Sequence, residues 1–407
     1  MIVCIDPGIL GMQQYLCVGM SEAGPTSIKR VDSPPEGSWI LGDIDADLSI
    51  DLLAHVSGVS LPELIPLEHQ QSLRYVLGGS FEKTEIPWHW VLPDHIFKTR
   101  FRELLGAVWR LLDTGSMDYY TSVIKSTRSC LGRLERASID RDLWDELGQE
   151  TSENRKVLKS FAPDASGFAE KATYNLDASL TGRMSIKSGP EILRLRRDLR
   201  QIIRSQYEGG SLFFLDFTSL EPRIALAIQG INPPRDIHSY VSSEILKGEF
   251  ERPDAKHAVN SIIYGSGPST LAKALNISTS RARKVRDSVS KYMGVTARTA
   301  ELVREANDTG KIINPNGRVI LASEAAPHQL FNYLIQSTGV DVAMTGFSQV
   351  CDLIDERNFR IRPIFVIHDA LVLDVHPNDK DNLIELSRAA ETISGFDVRF
   401  FTSLEEL

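Results

Sequence analysis

Across 407 residues the sequence holds only four cysteines, and its net charge of −9 leaves it short of positive charge. Each shortage excludes something. Cys4, Cys17, Cys130 and Cys351 form no C-x-x-C pair and no metal-ligand cluster, which argues against a disulfide framework or a structural zinc and fits a reducing, cytoplasmic setting. No apolar run reaches the length of a membrane span, and the start MIVCIDPGILG lacks the basic residues and long apolar core of a signal peptide. A deficit of Lys and Arg speaks against phosphate binding over the surface as a whole. What remains, 42% hydrophobic and 24% charged residues, is ordinary for a globular chain of two or three domains.

Basic residues are nevertheless unevenly spread. From Thr181 to Arg204 they outnumber acids by five, and from Arg281 to Arg298 they do so again, with Asp287 the one acid of that second stretch. Such stretches can follow a phosphate backbone, although solvated helix faces would look the same.

The chain opens as strand, glycine turn and strand, with Asp6 ending the first strand in IDPG. From about Asp94 to Leu158 the pattern is helical. Two amphipathic helices are divided at Thr114-Gly115-Ser116, and the second sets Lys125, Arg128, Arg133 and Arg136 in one sector. They would make either a grip on a duplex backbone or a plain helical hairpin.

The most informative stretches come later. In SLFFLDFTSLEPRIALAI, residues 211–228, an apolar strand stops at Asp216. Thr218 to Glu221 then has capping-box spacing, and Pro222 suits a first helical turn. In ERPDAKHAVNSIIYGSG, Arg252, Lys256, Asn260 and Tyr264 recur every four residues, while Ala255, Ala258, Val259, Ile262 and Ile263 take the opposite side. A row of two cations and an aromatic ring suits a triphosphate and a stacked base. IINPNGRVIL reads as a hairpin turning at Asn316-Gly317. RPIFVIHDALVLDV gives two apolar strands flanking His368-Asp369-Ala370, so that Asp369 lies near a hairpin tip, where it could share a metal site with Asp216.

In this order TGRMS, LDFTSLEPR, DIHS, RPDAKHAVNSIIYG, NYLIQSTGVD and VIHDA resemble the polymerase domain of family-A DNA polymerases, over about residues 175–376. The resemblance implies an α+β multidomain right hand: an antiparallel palm sheet over 170–235 and 312–407, helical fingers over 236–311 and thumb-like helices over 91–169. A small N-terminal α/β domain of uncertain role, 1–90, precedes them, and IDPG gives it the look of a degenerate RNase H-like exonuclease remnant, with no D-x-E proofreading motif near the start. It implies two Mg2+ ions on Asp216 and Asp369, with Lys256 as general acid to pyrophosphate. The incoming deoxynucleoside triphosphate would meet Glu221, His238, Arg252, Lys256, Asn260 and Tyr264, with Glu221 blocking a ribose 2′-hydroxyl. Primer-template DNA would meet Arg183, His328, Asn332, Gln336 and His368. A separate exonuclease chain or a processivity factor is a further expected partner, as for a phage or a split enzyme.

Four positions depart from the family pattern. Ala370 stands where a Glu is usual, Asn260 where Phe or Tyr is usual, and His328 where Arg is usual. Pro253, directly after Arg252, disfavours helical backbone angles at Arg252. Two rival readings stay open on sequence: a single-subunit RNA polymerase, which Glu221 argues against, and a catalytically inactive DNA-binding subunit, which joint retention of Asp216, Glu221, Arg252, Lys256, Tyr264 and Asp369 argues against.

Overall fold

The structure is a computed structural model that describes residues 1–10, 12–21, 24–65, 92–113 and 116–407. Residues 66–90 of the expected N-terminal domain and the Thr114-Gly115 break lie outside the described residues. The chain forms two compact units, Met1–Ser122 and Val123–Leu407. Among the described residues no helix is long and apolar enough to cross a membrane.

In the first unit β1 (Ile2–Ile5), β2 (Tyr15–Ser21), β3 (Gly24–Val31) and β4 (Trp39–Leu41) make one sheet in the order β3-β2-β1-β4. β1 pairs antiparallel with β2 and parallel with β4. Instead of the single strand expected after the first turn, β2 is followed at once by β3, its antiparallel partner. Helix α1 (Ile50–Val56) is capped by Ser49, whose hydroxyl accepts from the Leu52 amide, and the 19-residue helix α2 (Asp94–Leu112) lies in the same unit.

Asp6 accepts a hydrogen bond from the Gly8 amide at 2.8 Å, and Asp51 accepts one from the Gly42 amide at 2.6 Å. Burial pushes the Asp51 carboxyl up, and the charges of Asp43 and Asp6 add to the push. Asp43 and Asp51 are therefore acids near Asp6. Among the described residues, no group of three or more His, Cys, Asp or Glu is arranged to hold a metal.

Cys4 and Cys17 are direct partners in the β1-β2 ladder and form a disulfide, which overturns the expectation of none. They are 13 residues apart in the chain, a spacing that is meaningless until antiparallel pairing sets them opposite each other. Cys130 and Cys351 stay free and buried.

The second unit carries a four-stranded sheet. Its strands are β5 (Ser211–Phe217), β8 (Ile361–Ile367), β9 (Ala370–Val375) and β10 (Thr402–Glu406), in the order β8-β9-β5-β10 with antiparallel pairings. Between β5 and β8 run α4 (Leu220–Ala227), α5 (Ile237–Tyr240), α6 (Arg252–Ile263), α7 (Thr279–Tyr292), the hairpin β6 (Lys311–Ile313) and β7 (Val319–Leu321), and the 31-residue α8 (Pro327–Arg357). The hairpin turns where NPNG predicts, with Gly317 at φ 98°. Helix α8 is buried on most sides, as its apolar and small residues allow, and its Phe347 ring lies 5.7 Å from that of Phe217 on β5.

The basic stretches are less available than their charge count suggests. Arg133, at the end of α3 (Lys125–Arg133), bridges Asp352 and Asp355, and Arg136 lies beyond that helix on Asp164. Arg196, Arg197, Arg204, Arg281 and Arg298 pair with Asp198, Glu405, Asp140, Glu249 and Glu301. Most of these acids come from outside the basic stretches themselves, so a local charge count could not register them.

Candidate active site

The register of the central sheet builds the acid pair. Ala370 at the start of β9 is the direct partner of Asp216 on β5, and Ile367 pairs with Ala370 to close a two-residue hairpin of His368 and Asp369. His368 takes φ 56° to make that turn, and the Asp369 carbonyl accepts from the Phe217 amide at 3.1 Å. Both carboxylates thereby reach the same end of the sheet. Burial pushes Asp216 up to about 7, helped by the charges of Asp369 and Glu405 and opposed by Lys256. Asp369 is also raised, first by burial. Two desolvated acids held together are a donor set that a divalent cation would stabilise.

Just beyond β5 the expected capping box is not made. Ser219 precedes α4 with φ 53° and caps nothing; its hydroxyl lies 3.1 Å from His238 Nε2. Glu221 turns instead toward a polar cluster. Its Oε1 accepts from Arg183 Nη2 and from the Tyr264 hydroxyl, each at 2.9 Å, and Arg183 Nη2 also donates to Tyr264 at 3.0 Å. Burial still raises the Glu221 carboxyl, against the pull of these two donors. A carboxylate with two such partners has no reach left for its own helix's amides.

Helix α6 supplies the facing wall. Arg252, Lys256, Asn260 and Tyr264 all line one cavity of about 540 Å³, together with Asp216, Glu221, Arg183, His238, Gln336, His368 and Asp369. Ala255, Ala258, Val259, Ile262 and Ile263 are buried behind them, as the four-residue repeat requires. The helix starts at Arg252 itself with Pro253 in its first turn, so the proline does not remove Arg252 from the helix. Arg252 Nε donates to Asp236 at 2.8 Å. Asp236 also caps α5 by accepting from the His238 and Ser239 amides. Burial opposes ionisation of Asp236, but Arg252 and these amides win and hold its carboxyl well below the usual range. His238 is pushed down to about 4, by burial first and then by Arg252 and Lys256.

Two expected residues are not on the cavity wall. His328 is exposed, with its carbonyl and ring against Gly265, where a Cβ would come within 2.7 Å of the His328 oxygen. Gly265 holds φ 78° as α6 ends. Asn332 has a buried Oδ1 with no hydrogen-bond partner. Other residues at the site are not singled out by the sequence. Asp236 lies inside the DIHS motif, where only His238 carries an implied role. Tyr174, whose hydroxyl donates to the Val366 carbonyl at 2.9 Å, stands upstream of TGRMS. Ser403 pairs with Asp216 from β10, an edge strand with no motif to announce it.

Comparison with known proteins places the chain among DNA polymerases. The family model for DNA polymerase family A matches residues 150–399. A DNA polymerase of Mycobacterium phage D29 is 31% identical over 181 residues, 41% of this chain and 29% of the phage protein. DNA polymerase I of Mycobacterium bovis is 25% identical over 247 residues, 53% of this chain and 27% of its own length. The match thus spans under a third of each of these relatives. Among solved structures, the POL domain of Pol1 from M. smegmatis in complex with DNA primer-template and dNTP shares the fold, with a TM-score of 0.65, 15% identity, and coverage of 100% of this chain and 94% of that one. The family model covers more than half of the sequence and includes both carboxylates and the whole of α6: the chain belongs to DNA polymerase family A.

Proposed function

We propose that the chain performs template-directed DNA synthesis, joining the α-phosphate of a deoxynucleoside triphosphate to a primer 3′-hydroxyl with release of pyrophosphate. One observation carries this reading: the acid pair Asp216 and Asp369 shares a single cavity with the ridge Arg252, Lys256, Asn260 and Tyr264. The mycobacterial neighbour, a complex with DNA primer-template and dNTP, supports the same partners.

Asp216 and Asp369 would hold two Mg2+ ions, completing their coordination from substrate phosphate and water, since magnesium is commonly bound through one or two carboxylates. When bound, the metal supplies Lewis-acid stabilisation of the attacking and leaving oxygens. Lys256 neutralises the triphosphate and donates a proton to departing pyrophosphate. Arg252 binds phosphate oxygens, His238 stands beside them, and Tyr264 offers its ring to the nascent pair. Asn260 faces the sugar, and Glu221, fixed by Arg183 and Tyr264, fills the space a ribose 2′-hydroxyl would need. Arg183, Gln336, Asn332, His328 and His368 contact the primer-template. In this reading 170–235 and 312–407 act as palm, 236–311 as fingers and 91–169 as thumb. The sheet order and the acids Asp6, Asp43 and Asp51 support an exonuclease-like ancestry for the N-terminal unit.

The test is primer extension on matched and mismatched ends, with deoxy- or ribonucleotides, in Mg2+ and in EDTA. Deoxynucleotide addition that EDTA abolishes supports the proposal. Preference for ribonucleotides would favour an RNA polymerase, no extension an inactive subunit, and removal of the mismatch a retained proofreading activity.

A further inference from the structure

The TGR turn has a buried floor that the functional reading does not use. Gly182 sits at φ 76°, and a Cβ built on it would meet the Arg318 guanidinium at 2.5 Å from both Cζ and Nη2. Ordinarily the far end of an arginine yields to such a contact. Here it cannot. Arg318 is 4% exposed, and its Nε and Nη2 lie 3.4 and 3.2 Å from Asp341 Oδ1 on α8, itself 1% exposed. Asn314 locks the arrangement from the hairpin: its Nδ2 donates to the other Asp341 oxygen at 2.7 Å, and its Oδ1 accepts from the Arg318 amide at 2.9 Å. A buried pair of this kind, tied further by Asn314, holds position because moving either partner leaves a charge uncompensated.

The turn above this floor is short and tied to itself. The Gly182 amide donates to the Ser179 carbonyl at 3.0 Å, and the Ser179 hydroxyl donates to the Arg183 carbonyl at 3.0 Å. The floor and these bonds together fix the height of the Arg183 backbone, and from it the side chain reaches Glu221 and Tyr264. A continuous path of contacts thus runs from α8 through Asp341, Arg318 and Gly182 to the cluster at the proposed sugar gate.

We propose that Arg318 is a positioning residue for sugar selection: braced by Asp341, its guanidinium forms the floor under Gly182 that sets Arg183 at the height where it holds Glu221 against the incoming sugar. This rests on the functional reading above. Arg318 itself does not line the cavity, so its effect on substrate passes through Arg183.

The experiment is single-nucleotide incorporation by the full chain, with kcat and KM measured for a deoxynucleotide and the matching ribonucleotide. R318M removes the charged floor, R318K restores a charge without the planar surface, and G182A lifts the turn from above while leaving the Arg318–Asp341 pair in place. Because a Glu221 displaced from the sugar leaves room for a 2′-hydroxyl, and a pocket rejects one added hydroxyl by about a hundredfold, R318M and G182A are expected to lower the deoxy/ribo ratio of kcat/KM by about tenfold, chiefly through the ribonucleotide KM falling. R318K should recover part of the ratio. A merely structural role would depress both substrates alike and leave the ratio unmoved, and that result from G182A, which keeps the buried pair, overturns the inference even if R318M does not fold. A wild-type chain that extends no primer overturns the functional reading and this inference with it; an active wild type with unchanged variant ratios overturns the inference alone.

Discussion

Ala370 and Asp216 are direct partners across the central ladder, and that one pairing explains how Asp369, the residue before Ala370, comes to share a cavity with Asp216. The place where the family usually has a glutamate is filled by a buried methyl group, leaving the acid pair without a third carboxylate at this position. In the proposed function, a metal held there would rest on Asp216 and Asp369.

Asp216→Asn should therefore abolish catalysis while strengthening the fold. Burial and two neighbouring carboxylates make the Asp216 charge unfavourable without a cation, and the amide removes that charge at nearly constant shape. Primer extension should fall by about a thousandfold, the upper range for losing one pre-arranged electrostatic contact. In EDTA the melting temperature should rise by about 2–4 °C, the shift for about 1 kcal/mol in a domain of this size. A variant that melts lower in EDTA would show that Asp216 stabilises the fold instead.

The Glu221 cluster yields a graded prediction. Glu221→Ala removes the acceptor shared by Arg183 and Tyr264 and opens space at the sugar, so ribonucleotide incorporation relative to deoxynucleotide should rise by about ten- to a hundredfold. Tyr264→Phe deletes one of the two donors and keeps the ring, and should give a smaller rise. Competition assays with both nucleotides read the ratio directly. Equal effects from both variants would mean that the hydroxyl, and not the carboxylate, does the excluding.

How far the sequence carried these assignments depended on whether each feature was local. Helix α6 was legible because a four-residue repeat of Arg252, Lys256, Asn260 and Tyr264 against an apolar side has one helical solution. The β8-β9 turn was legible because two apolar runs flank His368 and Asp369. Features set by long-range pairing were not. Cys4 meets Cys17 only through strand register, Ser403 reaches Asp216 from an edge strand near the C-terminus, and Arg318 becomes a floor only when α8 brings Asp341 to it. The false capping box is the instructive case, because Glu221 obeys the local rule in spacing and a stronger distant pair of donors takes it.

His238 should make the fold acid-sensitive in a defined window. Its folded value of about 4 lies below the ordinary 6.5, with burial the main cause and Arg252 and Lys256 adding to it, while Asp236 opposes. Between these values the unfolded chain binds a proton that the folded one refuses, so stability falls as pH drops from about 6.5 toward 4. His238→Gln removes this titration. The wild-type minus variant difference in urea midpoint should therefore decline across that window and be flat above pH 7. A flat difference throughout would mean that the imidazole is solvated.

Arg252 and Asp236 make the last prediction. Arg252 lines the cavity, yet its Nε is engaged by Asp236 at 2.8 Å, and both side chains are about half exposed, where ion pairs contribute little to stability. Asp236→Asn keeps an acceptor for the α5 cap but removes the charge that competes with phosphate for the guanidinium. The KM for deoxynucleotide should fall by about threefold with kcat unchanged, because a freed guanidinium binds phosphate equally in ground and transition states. Asp236→Ala also loses the cap and should cost about 1 kcal/mol of stability. If the Asn variant raises KM instead, Asp236 serves to aim Arg252 into the cavity and the pair is part of the binding site. Steady-state kinetics at two salt concentrations separates the outcomes, since competition between two anions for one guanidinium weakens as salt screens both.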